Sequence, residues 1–144
     1  MTDSRIARKL QIKPGQRIKA VRPPGDYANL VGGLPDGARV VPESAADADV
    51  VHVFVRDQAE LAEVWPAIVA SVRPGTTLWT SYPRARPGMD TDINRDRGWA
   101  IVRADGFDPV SQVAIDEVWS ALRWRRDPAL RAAREAGGAR AGGD

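Results

Sequence analysis

Apolar residues in this chain arrive in short bursts, and the stretches between them are rich in residues that end regular structure. The clearest burst is DVVHVFV at 49–55. A nearly unbroken apolar run of that length predicts a strand buried on both faces, as in a parallel sheet. TTLWTSY at 76–82 predicts a second strand, because β-branched and aromatic residues dominate it. RIKAVR at 17–22 alternates apolar and basic residues and predicts a strand, and ARVV at 38–41 predicts a short one. Between the two clearest strands, Leu61, Val64, Trp65, Ile68 and Val72 recur at helical spacing behind Asp57, a natural helix cap. Pro66 falls inside that pattern and predicts a kinked or split helix, because its ring removes a backbone N–H.

The remaining segments follow the same logic. Ser4 can cap a short helix over 5–10, stopped by Lys13-Pro14-Gly15, and Asp26 can cap another over 27–31. After Tyr82-Pro83 the chain crosses a Pro/Gly loop. A helix is expected behind the polar cluster Asp90, Thr91, Asp92, Asn94, Arg95 and Asp96, carrying Ile93, Trp99, Ala100 and Val102 and ending at Gly106. Strands at 110–115 and 120–125 are joined by Asp116-Glu117-Val118-Trp119, short enough to make them an antiparallel hairpin. One domain over 1–126 is expected, with a flexible tail rich in Ala, Arg and Gly over 127–144.

Strands alternating with helices make a layered α/β domain, and right-handed crossovers send every parallel strand toward the same sheet edge. The connectors after Arg22, Glu43, Val55 and Tyr82 should therefore meet the hairpin tip at Asp116 on one rim, where open α/β sheets bind ligands. The candidate ligand-binding residues are Tyr82, Arg84, Asp92, Asn94, Arg95, Asp116 and Trp119. Carboxylates beside arginine stay ionised, which suits them to orient a ligand more than to act as a base near neutrality. The alternative is a structural network in which Arg95 bridges Asp92 or Asp116. Trp119, at the tip, is either a ligand platform, a partner anchor or packing.

Composition narrows the chemistry. There is no cysteine and a single histidine, His52, so disulfides, thiolate metal sites and multi-histidine metal sites are excluded. No apolar run approaches the roughly 20 residues of a membrane helix, the start lacks a signal-peptide core, and a cytoplasmic location is expected. The formal charge is only +2, but it is uneven. Arg5, Arg8, Lys9, Lys13, Arg17, Lys19 and Arg22 crowd the start, and Arg123, Arg125, Arg126, Arg131, Arg134 and Arg140 the end. No recognised nucleic-acid motif accompanies this charge. A solvated face is therefore preferred over a nucleic-acid interface, and the expected partner is a small ligand or a protein, with no membrane.

Two resemblances add to this. The order of elements resembles a class I methyltransferase lacking a helix and a strand. In that family the turn after the first strand holds S-adenosylmethionine and an acidic residue after the second binds its ribose. A "PGG"-type turn there precedes a strand ending near the substrate, and an antiparallel hairpin closes the sheet; Lys13-Pro14-Gly15, Glu43, Asp49-Val50-Val51 and Arg73-Pro74-Gly75 fit the family's positions. Gly25, Asp26 and Glu43 would then be the cofactor-binding residues. The first-strand turn departs from the family: Arg22-Pro23-Pro24-Gly25-Asp26 has one glycine and two prolines without N–H groups. The implied fold is a three-layer Rossmann-like α/β domain, with a mostly parallel sheet of about six strands closed by a C-terminal antiparallel hairpin. A second resemblance covers nearly the whole chain. Leu10-Gln-Ile-Lys-Pro-Gly15, Phe54-Val55-Arg56, Leu78-Trp-Thr-Ser-Tyr-Pro83, Thr91-Asp-Ile-Asn-Arg-Asp96 with Trp99, and Val113-Ala-Ile-Asp-Glu-Val-Trp-Ser-Ala-Leu-Arg-Trp124 are similar to a bacterial family of short proteins known as a domain of unknown function. That family commonly has lysine after the Tyr-Pro pair, where this chain has Arg84.

Asp90, Asp92, Asn94 and Asp96 imitate the start of a calcium loop. The sixth position is Arg95 instead of glycine and the twelfth Ile101 instead of glutamate, so an acidic helix cap is preferred and no metal is expected. Ser81 and Ser120 have only His52 to activate them, and its mid-strand position reads as core, so a hydrolase triad is not expected. The expectation is a non-catalytic domain without a cofactor, binding a small ligand or protein partner at the rim. The alternatives are a degenerate S-adenosylmethionine-dependent methyltransferase and a nucleic-acid-binding accessory protein using its basic termini.

Overall fold

Every residue from Val50 to Val55 is buried, and the sheet is built outward from this run. The computed structural model describes residues 5–42, 47–84 and 91–126. In chain order the elements are α1 (Arg5–Lys9), β1 (Arg17–Val21), α2 (Tyr27–Leu30), β2 (Arg39–Val41), β3 (Val50–Phe54), α3 (Gln58–Ser71), β4 (Thr77–Pro83), α4 (Ala100–Ala104), β5 (Phe107–Ala114) and β6 (Trp119–Arg126). The six strands form one sheet in the order β2-β1-β3-β4-β6-β5. β1 runs parallel to β2 and to β3, and β3 parallel to β4. β6 is antiparallel to both β4 and β5.

Side-chain alternation divides the core in two. Val51, Val53, Leu78, Tyr82, Leu122 and Trp124 face one side, beneath Leu61, Trp65 and Ile68 of α3 and Val102 of α4. Ile18, Ala20, Phe54, Trp79 and Ala121 face the other, beneath Ala7 and Leu10 around α1 and Tyr27 of α2. Helices thus cover both faces of the sheet, which is why β3 can be apolar throughout. The same covering buries a polar position: Lys19 lies inside, with its Nζ donating to Ser71 Oγ at 3.0 Å. Among the described residues, no helix is long and apolar enough to cross a membrane.

Three expectations need correction. Of the kink or split expected at Pro66, the split does not occur; α3 runs unbroken through 14 residues. Pro66 and Ala62, the residue whose carbonyl loses its partner, are both exposed, so that carbonyl is left to water. The helix after the polar cluster is only Ala100–Ala104, because residues 92–98 are held by tertiary bonds described below. The hairpin strands are longer than expected, and β5 carries an irregularity between Pro109 and Ser111. The tail expected over 127–144 lies outside the described residues.

Pro66→Ala should restore the missing helical hydrogen bond. We expect a gain of about 2 kcal/mol in unfolding free energy, since proline costs ~3 kcal/mol inside a helix and its stiffening of the unfolded chain returns part of that. Chemical denaturation measures it; a loss of stability would show that α3 is built around the ring.

Candidate functional site

Antiparallel pairing of β4 with β6 decides where the hairpin tip goes. Tyr82 pairs with Ser120 and Pro83 with Trp119. The ladder continues one step further, with Arg84 N donating to Val118 O at 2.7 Å. The tip at 115–118 therefore stands at the carboxyl end of β4, on the edge where β1 and β3 also end. Arg84 Nη1 donates to Asp116 O at 2.8 Å, tying the β4 exit to the tip. Asp116 Oδ1 accepts from both Val118 N and Trp119 N at 2.8 Å, a side-chain turn that shapes the hairpin.

The sheet divides the remaining candidates. Tyr82 is buried on the α3/α4 face, edge-on to Trp99 at 5.8 Å. Its hydroxyl accepts from Gln112 Nε2 at 2.7 Å. Burial pushes its ionisation upward, and the bonds to Gln112 and Ser120 and the nearby Arg95 partly oppose this. Trp119 is buried on the opposite face, edge-on to Phe54 at 5.4 Å. Its ring is turned into the core instead of standing at the tip.

Loop 91–98 shares the face of Tyr82 and docks on the start of α3. Asp92 Oδ1 accepts from Gln58 N at 2.9 Å, and Asp92 O accepts from Gln58 Nε2 at 2.8 Å. Thr91 Oγ1 donates to Arg56 O at 2.6 Å. Asn94 O accepts from Trp99 Nε1 at 2.6 Å, and Asn94 Oδ1 from Asp96 N at 2.8 Å. The polar cluster expected to cap its own helix instead supplies an amide cap for α3 in space, beside Asp57, which accepts from Glu60 N at 2.9 Å. Among the described residues, Arg95 forms no ion pair with Asp92 or Asp116. Asp57, Ala59, Thr91, Asp92 and Arg97 line an open cleft of about 360 Å³ between this loop and α3. Gln58, Ala59 and Arg97 are lining or framing residues the sequence did not single out. Asp90 lies outside the described residues. Among those described, no group of three or more His, Cys, Asp or Glu side chains could hold a metal ion.

A second polar assembly lies inside the sheet. His52 Nδ1 is 2.7 Å from Tyr27 Oη, and His52 Nε2 is 2.6 Å from Ser81 Oγ. His52 and Ser81 are fully buried and Tyr27 nearly so. A neutral imidazole carries one N–H, so it donates at one end of this chain and accepts at the other. Burial pulls the His52 pKa down to about 3 and pushes the Tyr27 phenol up. A serine does touch a histidine here, which the sequence did not suggest. Buried this deeply, and with an imidazole this weakly basic, the assembly works as a satisfied core network.

No protein-family model matches the sequence, and none of the curated proteins does. Solved structures do. LepI in complex with S-adenosylmethionine superposes with a TM-score of 0.50 at 14% identity, over 85% of this chain and 39% of LepI. A protein of the NADB-Rossmann superfamily from Streptococcus agalactiae gives 0.52 at 13% identity, over 88% of this chain and 69% of that one. The M1A22 tRNA methyltransferase TrmK of B. subtilis gives 0.51 at 12% identity, over 94% and 72%. The fold is methyltransferase-like and Rossmann-like. This chain spans well under half of LepI's length.

The residues at the cofactor position fit S-adenosylmethionine poorly. Gly25 takes no left-handed φ, and a Cβ added to it would meet no protein atom within 4 Å, so nothing in the fold itself requires glycine in this turn. Pro23 and Pro24 offer no N–H. Asp26 spends its carboxylate on Asn29 N at 3.0 Å, and Arg22, at φ 56°, sends its guanidinium to Glu63. Glu43 lies outside the described residues.

Two outcomes test this description. Gly98 sits at φ 101°, where an added Cβ would lie 2.8 Å from Ile93 Cγ1 and 3.1 Å from Asp92 O. Gly98→Ala should cost at least about 2 kcal/mol and raise hydrogen exchange at Gln58 N; unchanged exchange there would separate the loop from the α3 cap. For His52, a folded pKa near 3 against 6.5 unfolded means the unfolded chain takes up a proton that the folded chain refuses. Stability therefore falls as pH drops from 6.5 toward 3. Between pH 7 and pH 5 the loss should be about 2 kcal/mol and vanish in His52→Gln. Urea midpoints at both pH values read it directly, because the chain has no other histidine.

Proposed function

We propose that this chain is a non-catalytic, cytoplasmic α/β domain that binds a small ligand or a protein partner at the carboxyl-end rim of its sheet. In architecture it is one three-layer Rossmann-like domain closed by its hairpin. The order of motifs from Leu10 to Trp124 groups it with the short bacterial family it resembles. The observation that carries the reading is how the rim's polar groups are used. Asp57, Asp92, Asn94 and Asp116 hold backbone amides, and Arg84 holds a backbone carbonyl. Asp116, whose Oδ1 accepts two backbone amides, is committed to shaping the hairpin turn. What the rim offers is a firmly supported concavity, the cleft between Asp57 and Arg97. Its mix of carboxylates, a hydroxyl and a guanidinium suits a small polar ligand carrying both donor and acceptor groups.

The likeness to LepI bound to S-adenosylmethionine and to TrmK favours a second reading, a degenerate S-adenosylmethionine-dependent methyltransferase. The loop from Arg22 to Asp26 counts against it. Calorimetric titration separates the two. No heat is expected with millimolar S-adenosylmethionine. A small polar molecule that co-purifies with the protein should bind, and Arg97→Ala should weaken it about tenfold, the loss of one charged hydrogen bond. Methyl transfer by the purified protein, abolished by Asp116→Ala or Tyr82→Phe, would overturn the non-catalytic reading.

A further inference from the structure

The two basic stretches of the sequence are far apart in the chain, yet the fold brings part of each to one face. α1 lies over the outer half of the sheet. Leu10 O, just past α1, accepts from Trp79 Nε1 at 3.0 Å. Ile6 and Val113 pack into the same cluster as Ala7 and Leu10. The inward side of α1 is thus apolar, and Arg5, Arg8 and Lys9 are exposed. On β6, Arg123 pairs in register with Trp79 on one side and Ser111 on the other. Side chains opposite one another share a face, so Arg123 emerges beside the Trp79 ring, next to α1. Arg125, two residues further on, is exposed on the same face, about 6–7 Å along the strand.

Among the described residues, none of these five cations forms an ion pair. The pairs present are Arg22–Glu63, Arg56–Glu60, Arg73–Asp47 and Arg103–Asp108. Asp108 stands opposite Arg125 in register, and Arg103 engages it.

We propose that this face, Arg5, Arg8 and Lys9 of α1 with Arg123 and Arg125 of β6, binds a nucleic-acid strand through its phosphates. Four of the five cations are arginines, whose planar fork matches phosphate oxygens. A lipid surface is disfavoured because α1 turns its apolar side into the core, opposite to an interfacial helix. The exposed large hydrophobics among the described residues, Val40, Ile101 and Val110, lie on β2, α4 and the β5 edge. No base-reading element accompanies the patch, so binding is independent of sequence. This surface is distinct from the rim cleft and does not rest on the reading given there.

The test is fluorescence anisotropy with the full chain and labelled single-stranded RNA, single-stranded DNA and duplex DNA across a salt series. Five phosphate contacts predict a log–log salt slope near −3.5 for a single strand, a loss of about 10²-fold between 50 and 200 mM salt. R123A/R125A should flatten the slope by about 1.4, and R5A/K9A, exposed on the helix and remote from the core, by the same amount. R123K/R125K should keep it, and R39A, on the far edge strand, should leave it unchanged. The ranking of the three probes identifies the strand type. No binding at low salt would overturn the proposal, as would a slope untouched by both double variants, or binding to phosphatidylserine vesicles or polyglutamate in preference to every nucleic acid.

Discussion

The antiparallel ladder between β4 and β6 is the constraint on which the rest of the architecture depends. Four parallel strands alone would leave β4 ending beside empty solvent. Because β6 runs against β4, with Tyr82 opposite Ser120 and Pro83 opposite Trp119, the chain must turn between β5 and β6 at the same edge where β1 and β3 end. The bonds from Arg84 to Val118 O and Asp116 O extend that pairing into the connectors themselves. Sheet register, set by which face of each strand is apolar, thereby decides which loops can ever share a site.

The same ladder also separates what it gathers. Alternation sends Tyr82 toward α3 and Trp119 toward α1 and α2, so two aromatic residues that are near neighbours on the rim belong to different cores. Trp99 bridges Tyr82 and Trp124 on one side. On the other, Phe54 joins His52, Tyr27 and Trp119. Aromatic rings pack beneath both sides of the rim, and Asp57, Asp92, Asn94, Asp116 and Arg84 bond to backbone there. A general acid or base must be free to exchange a proton, whereas these side chains are committed to backbone bonds.

Much of the fold was legible along the chain because its signals are local. The run at β3, the Asp26 and Asp57 caps, and the Asp116 turn each depend on residues within a few positions of one another. The misses involve distant partners. Asp92 reads as part of an acidic N-terminus for its own helix, yet its carboxylate accepts from Gln58 N, 34 residues away. His52 finds Tyr27 and Ser81 at separations of 25 and 29 residues, and no pattern of hydrophobicity encodes that. Lys19 reads as a surface position in an alternating strand and is buried because helices cover both sheet faces. The basic stretches read as two separate termini; only the sheet brings Arg123 beside α1.

The most direct test of the account is whether the β4 exit and the hairpin tip are neighbours. The chain has no cysteine, so Arg84→Cys with Val118→Cys gives a background-free measurement of one bridged pair. Cross-strand partners lie within disulfide reach, with Cα atoms about 4.4–6.8 Å apart. Mild oxidation should produce an intramolecular bond in nearly all molecules, with unchanged circular dichroism and a raised melting temperature. Oxidation that yields only intermolecular dimers, or none, would place the two connectors apart and contradict the shared rim.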